Sequence, residues 1–300
     1  MLRLGIVDFD TSHVVEFTKR LHRQGVPEEQ WVDGARVVAG CPGESAMMPE
    51  RIGPYTEQLR QMGVEMVARP EELLGRVDGV LIESQEGAAH LRRARPFLEA
   101  GMPLFIDKPF TNSVHDAFEI ARLAGLRGAP VFSSSSLRFT PELVALLADH
   151  GVLGTIHGAA AWTPASTHPR NPGLFHYGIH GVEALYTVMG PGCREVWCAA
   201  EAGGEVVMGR WKDGKIGTVR GIRTGAAPFG VTVFADKAVR TIDLDTRFIY
   251  RELLRQIVAF FETGRPPVPL SHTVEIVAFI EAALHSANNR GEPAPLPLRR

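Results

Sequence analysis

Over its first 130 residues the chain alternates short apolar runs with helical segments, and no other feature restricts its fold as much. Residues 2–7, 36–40, 64–67, 77–82, 103–106 and 131–132 are rich in Val, Ile, Leu and Phe and read as buried strands. Residues 12–24, 87–100 and 113–126 carry apolar positions at helical spacing, with Gly25 and Gly101 as stops and Asn112 or Ser113 as a cap. Residues 44–62 read as helical in part, with Gly53-Pro54 as the expected interruption. Strands separated by helices of this length form βαβ units with right-handed crossovers and a mostly parallel sheet. The predicted fold class is therefore α/β, with a doubly wound parallel sheet over residues 1–130.

Beyond that point the pattern changes. A short helix at 141–150 and a strand at 155–162 are followed by an apolar helical stretch at 175–189. Alternating runs at 206–211, 216–222, 231–234 and 239–244 are separated by turn signals such as Lys212-Asp213-Gly214, as in antiparallel hairpins. Two helices, 247–263 and 271–288, precede a Pro-rich tail. Residues 131–300 thus read as a C-terminal α+β domain on a mostly antiparallel open sheet.

Three hundred residues suit two domains, and 45% hydrophobic with 22% charged residues is ordinary for a globular chain. With 32 basic and 34 acidic residues the net charge is -2, so no strong field favours nucleic acid or an anionic membrane. Arg92, Arg93 and Arg95 read as a solvated helix face. Cys41, Cys193 and Cys198 are odd in number and lack CxxC spacing, which argues against a disulfide framework or a structural zinc. With no leader pattern before the first strand and no apolar run of membrane-spanning length, the expected location is cytoplasmic.

The chemistry concentrates in two places. Phe105-Ile106-Asp107-Lys108-Pro109-Phe110 sets a Lys just past a buried strand, with Pro fixing the next backbone angle. It therefore lies at the carboxyl edge of the sheet, where open α/β sheets hold ligands. Later comes His176-Tyr177-Gly178-Ile179-His180, with Glu183 one turn on. A positioned Lys and a positioned His are the parts of a proton-transfer site. His176 and His180 would share a helix face with Glu183. Two histidines and a carboxylate could hold zinc or a related metal, but HxxxH on one helix is common without one, the alternative being His176 as a hydrogen-bonded site residue; no metal ligand is assigned.

At this point the sequence resembles the glucose–fructose oxidoreductase/inositol dehydrogenase (Gfo/Idh/MocA) family. Leu4-Gly5-Ile6-Val7 looks like its first strand; Val77-Asp78-Gly79-Val80, Ala89-His90 and Leu98-Glu99-Ala100-Gly101 like its fourth strand and next helix. Asp107-Lys108-Pro109 matches the EKP motif with Asp for Glu, Arg138-Phe139 before Pro141 resembles the entry to the second domain, and Tyr177-Gly178-Ile179-His180 sits like the D-x-G-x-H segment. The resemblance implies a Rossmann domain, and a second domain whose open sheet supports homodimers or homotetramers. It also implies hydride transfer between NAD or NADP and a hydroxyl or keto group of a sugar, cyclitol or related polyol. Lys108 would orient the hydroxyl and help move its proton, with His180 as general acid/base and His176 in the place of the family's Asp.

The first βα turn departs from that pattern. A dinucleotide fingerprint uses glycines so that the backbone can approach the pyrophosphate at a helix N-terminus. Here Asp8, Asp10 and His13 hold the three glycine positions, within Asp8-Phe9-Asp10-Thr11-Ser12-His13. Asp10 is expected to cap the following helix and fill the anion site; the plainer account is a good helix start. The second strand ends in Cys41-Pro42-Gly43 without the usual ribose-binding acid, and Glu83-Ser84-Gln85-Glu86-Gly87 replaces the loop after strand four. Asp8, Asp10, Glu83 and Asp107 would line one crevice, suited to a cation or to polar hydroxyls. The residues expected at the cofactor are Asp8, Asp10, Thr11, Ser12, His13, Glu83, Asp107 and Lys108. His90 reads as a satisfied hydrogen-bonding residue, 133–136 as a substrate-facing loop or a polar linker, Trp162 and His168 as Pro-loop packing, and Arg138 as an interdomain anchor.

Three functions compete. The first is an NAD(P)-dependent oxidoreductase on a carbohydrate-like small molecule. The second is a non-redox lyase, isomerase or hydrolase on the same scaffold, with altered NAD(P) binding and perhaps a metal. The third, a silent binding protein, sits poorly with the presence of both Lys108 and His180.

Overall fold

The computed structural model describes residues 1–298 and divides into two compact units. The first comprises Met1–Thr111, His115–Ser134 and Tyr250–Leu270; the second comprises Asn112–Val114, Ser135–Ile249 and the chain from Ser271.

The strands of the first unit are β1 (Leu2–Val7), β2 (Ala35–Cys41), β3 (Glu65–Met66), β4 (Gly79–Ile82), β5 (Leu104–Ile106) and β6 (Val131–Phe132). They pair in parallel in the order β3-β2-β1-β4-β5-β6. That order reverses direction between β1 and β4, and the carboxyl ends there form the switch-point crevice of doubly wound sheets. The helices are α1 (His13–His22), α2 (Pro49–Gln61), α3 (His90–Glu99), α4 (Val114–Arg127) and, from far along the chain, α8 (Ile249–Thr263). Gly53-Pro54 does not interrupt α2: a proline this near the start removes only one early backbone bond, and Gly53 leaves open space beside it.

A single cut after residue 130 does not describe the units. β6 pairs with β5, and α8 turns Leu253, Leu254, Ile257, Val258, Phe260 and Phe261 inward. Phe260 lies 5.7 Å from Phe132, ring to ring, and Phe261 covers Gly79, where an added Cβ would stand 2.5 Å from the ring. Truncating a fully buried aromatic such as Phe260 costs about 3–5 kcal/mol. Amphipathic periodicity shows that 249–263 has an apolar face, but not which sheet receives it.

The second unit is built on β7 (Ile156–Pro164), β8 (Cys193–Glu201), β9 (Gly204–Trp211), β10 (Ile216–Ile222), β11 (Gly230–Ala235), β12 (Val239–Asp243) and β13 (Ala294–Pro295). Their order is β12-β11-β7-β10-β9-β8-β13, antiparallel throughout except that β7 and β10 run parallel. The short helices α5 (Pro141–Ala148) and α6 (His150–Leu153) precede β7. Helix α7 (Ile179–Met189) lies close on the sheet: a Cβ at Gly181 would stand 2.6 Å from the Thr163 side chain. Helix α9 (Leu270–Asn288) completes the unit. Among the described residues no helix is long and apolar enough to cross a membrane.

Candidate active site

The carboxyl edge of the first sheet carries three acids, one at the end of each of three strands: Asp8 after β1, Glu83 after β4 and Asp107 after β5. All are buried, with Glu83 fully so. The structure sorts these acids and Asp10 into separate arrangements rather than one open crevice.

Asp8 has φ 64°, a left-handed conformation that normally favours glycine. Its Oδ2 accepts from Arg93 Nε at 2.8 Å and from the Ser84 hydroxyl. Oδ1 lies over Gly43, where an added Cβ would be only 1.8 Å away. Gly43 itself has φ +66°, so the missing side chain at the end of β2 makes room for Asp8. Burial raises the Asp8 carboxyl against the lowering pull of Arg93. Arg93 is therefore not part of a solvated face. His90, Arg93 and Phe97 share one stripe of α3, and the burial of His90 and Phe97 is the signal that points Arg93 toward the sheet.

Asp10 does not cap α1. The N-cap is Ser12, with no side-chain bond to the helix, and Asp10 instead accepts from the Gln85 backbone N–H at 2.8 Å and the Ser45 hydroxyl at 2.6 Å. Those donors stand outside the helix, whose first turn has instead a long contact of 3.5 Å from the His13 N–H to Thr11 Oγ1. Burial raises Asp10 as well. His90 spans two backbone carbonyls, with Nε2 2.7 Å from Ser84 O and Nδ1 3.0 Å from Phe110 O.

His13, Glu83 and Asp107 form the remaining cluster. His13 Nδ1 lies 2.8 Å from Asp107 Oδ2 and 3.7 Å from Glu83 Oε2, in ion-pair range but without hydrogen-bond alignment. The ring is held between Phe17, stacked at 4.9 Å, and Tyr250, edge-on at 5.1 Å. Burial pulls the imidazolium down, but the Asp107 and Glu83 carboxylates outweigh it and push His13 up to about 9. Burial and the neighbouring Asp107 charge push Glu83 up to about 8. Asp107 is held below the usual carboxylate range, its burial being outweighed by His13 and Lys108. Lys108 follows directly, with 8% of its surface exposed and a cis bond to Pro109.

In the second unit His180 opens α7, and its Nδ1 shares a 2.7 Å hydrogen bond with the Ser135 hydroxyl, which also accepts from the Leu137 N–H. Tyr177 and Phe229 flank the imidazole at 5.0 and 5.8 Å. His176 precedes the helix and pairs with the His168 ring at 5.6 Å. Glu183 is bound by Arg138, through Nε at 2.9 Å and through Nη2. His176, His180 and Glu183 therefore form no joint ligand set, since each is committed to a different neighbour. Arg138 is engaged inside the second unit, and Ser133, Ser134, Ser135 and Ser136 are all buried. Ser45 carries no signal in the sequence, and the roles of Ser135, Ser84 and Arg93 are not legible there because their partners are distant in the chain.

Residues 50–134 match the model of an oxidoreductase family with an NAD-binding Rossmann fold, Gfo/Idh/MocA. No curated protein matches the sequence. Among solved structures, GenD2 of gentamicin A biosynthesis, in complex with NAD, is 20% identical, with 98% of this chain and 96% of that one covered at a TM-score of 0.79. A myo-inositol dehydrogenase from Corynebacterium glutamicum is 16% identical over 100% of both chains, again at 0.79. The myo-inositol dehydrogenase from Lactobacillus casei, in complex with NAD(H) and myo-inositol, is 14% identical, covering 100% of this chain and 98% of that one at 0.79. At these identities the likeness is one of fold. The fold and the matching family model are thus those of NAD-binding oxidoreductases with an N-terminal Rossmann sheet. Within that class the likeness to the Gfo/Idh/MocA family holds, by the family model over residues 50–134 and by fold along the whole chain.

The family's cofactor is NAD, and the sheet order with its switch point fits a dinucleotide. The glycine cradle does not: its three positions hold the buried side chains of Asp8, Asp10 and His13. A diphosphate at the start of α1 would meet acids there, and two anions 4 Å apart cost roughly 1 kcal/mol in water and about 4 near a protein surface.

Proposed function

We propose that the chain is an oxidoreductase acting on a hydroxyl or keto group of a sugar, cyclitol or related polyol, with NAD or NADP as partner. The single observation that carries this reading is Lys108, mostly buried at the carboxyl edge of β5 in a Rossmann sheet of the family's strand order. The nicotinamide, when bound, supplies a hydride acceptor or donor. Lys108 would hold the substrate oxygen and carry its proton. His180 would serve as general acid/base, its ring oriented by the hydrogen bond between Nδ1 and the Ser135 hydroxyl. The first unit would contribute the cofactor side and the second the substrate and assembly side. By family analogy copies would associate as dimers or tetramers through the second sheet, where Val206, Ile216, Phe234 and Val239 are exposed. The expected location is cytoplasmic.

Titration with NADH and with NADPH, read by nicotinamide fluorescence and thermal shift, tests the reading. Saturable binding and turnover on a polyol panel support it, and absence of saturable binding at millimolar cofactor excludes it. A second reading, a non-redox enzyme on the same scaffold, is favoured by one observation: Asp8, Asp10 and His13 fill the glycine positions. Turnover of a polyol without nicotinamide would select it.

A further inference from the structure

We propose that His13, Glu83 and Asp107 bind one divalent metal ion of the zinc or manganese type. The three side chains each offer a ligand atom, and these atoms lie within 4.8 Å of one another. They come from three separate elements, the start of α1 and the ends of β4 and β5, so the backbone of the sheet positions them.

The second observation is what these atoms lack. Neither oxygen of Glu83 has a hydrogen-bond partner, although the residue is fully buried. The same holds for Asp107 Oδ1 and His13 Nδ1. Buried polar groups are normally satisfied, and a cluster of unmet acceptors facing one another points to a ligand that accepts electron pairs. A shared proton is the simpler occupant, but it would draw the groups into aligned hydrogen bonds. His13 and Asp107 stand 2.8 Å apart without that alignment.

The spacing suits a metal. Bonds of about 2.0–2.2 Å place neighbouring ligand atoms roughly 3.0–3.4 Å apart in octahedral or tetrahedral geometry. The observed 2.8 and 3.7 Å from His13 Nδ1 bracket that range. One imidazole with two carboxylates selects Zn²⁺, Mn²⁺, Fe²⁺ or Co²⁺ over the all-oxygen preference of Ca²⁺ and Mg²⁺. Three protein donors leave at least one coordination position for water or a hydroxyl or carbonyl oxygen of a ligand, the arrangement of catalytic rather than structural metal sites. The inference stands apart from the redox reading, because metal binding is measured without nicotinamide and either can fail alone.

The test uses the full chain, treated with a chelator and dialysed. Zn²⁺, Mn²⁺ and Co²⁺ are titrated in turn, following the thermal midpoint, the cobalt absorption spectrum and bound metal by elemental analysis. The expected result is about one ion per chain, a saturable rise of several degrees in midpoint and a cobalt spectrum showing nitrogen and oxygen ligation. Glu83→Gln and Asp107→Asn should each lower metal affinity at least about tenfold while keeping the circular dichroism of the parent. Substoichiometric metal with no saturable shift in the parent chain would overturn the proposal, whatever the variants do. So would stoichiometric binding that survives both substitutions, since surface histidines would then be the ligands.

Discussion

His13 Nδ1 stands 2.8 Å from Asp107 Oδ2, joining the first turn of α1 to the end of β5 at a position where a dinucleotide-binding turn has its third glycine. A glycine there lets the backbone approach a diphosphate; a histidine clamped by Phe17 and Tyr250 closes that approach and builds a polar cluster instead.

Lys108 carries the largest functional expectation. Lys108→Ala should lower turnover by at least about a hundredfold, the usual loss for a positioned acid/base, with the thermal midpoint little changed. Steady-state kinetics on the substrate found by panel screening measures it, and an unchanged kcat removes Lys108 from the mechanism.

Asp10→Asn keeps an acceptor for the Gln85 N–H while removing the charge from the start of α1. Nicotinamide affinity should rise by up to about tenfold, equivalent to about 1.4 kcal/mol, if that charge opposes the diphosphate. Fluorescence titration reads the change; weaker binding would show that the carboxylate serves the cofactor.

Gly43→Ala is expected to destabilise the first unit by about 1–3 kcal/mol. The backbone there has φ +66°, and the new Cβ would stand 1.8 Å from Asp8 Oδ1, which Arg93 and Ser84 prevent from swinging away. Denaturant unfolding measures the loss, and relief by Asp8→Ala in the double variant would locate the clash.

Burial pushes the thiols of Cys193 and Cys198 up to about 12 from an ordinary 9.0, and raises Cys41 in the same direction. Each raised value means that the folded state favours the neutral thiol. The corresponding stability is complete below pH 9 and is lost as pH climbs through 9 toward about 12. At pH 8 an aromatic disulfide reagent should therefore titrate none of the three cysteines in native protein and all three in denaturant. Fast labelling of native protein would contradict the burial of these side chains.

Local patterns reveal elements because their causes are local. The apolar runs of β1, β4 and β5 stand out because strands buried on both faces are continuously hydrophobic, and α1 and α3 because one helical stripe is apolar. Lys108 and His180 stand out for the same reason, Lys108 two residues past β5 and His180 in the first turn of α7. Asp10 looks like a cap in the sequence, but its donors, Ser45 and the Gln85 N–H, are 35 and 75 residues away. The joint metal set considered for His176, His180 and Glu183 dissolved likewise: Arg138 and Ser135 claim Glu183 and His180 from 45 residues upstream.

By itself the sequence determined the βαβ alternation, the antiparallel second half and the lysine at a strand's carboxyl end, since each follows from side-chain periodicity or backbone restriction within a few residues. Only the tertiary structure decided that α8 returns to the first sheet, that Arg93 neutralises Asp8 and that His13 meets Glu83 and Asp107. Those pairings depend on which strands lie side by side, and hydrophobic burial, which drives the chain together, is non-directional and does not encode partners in local sequence.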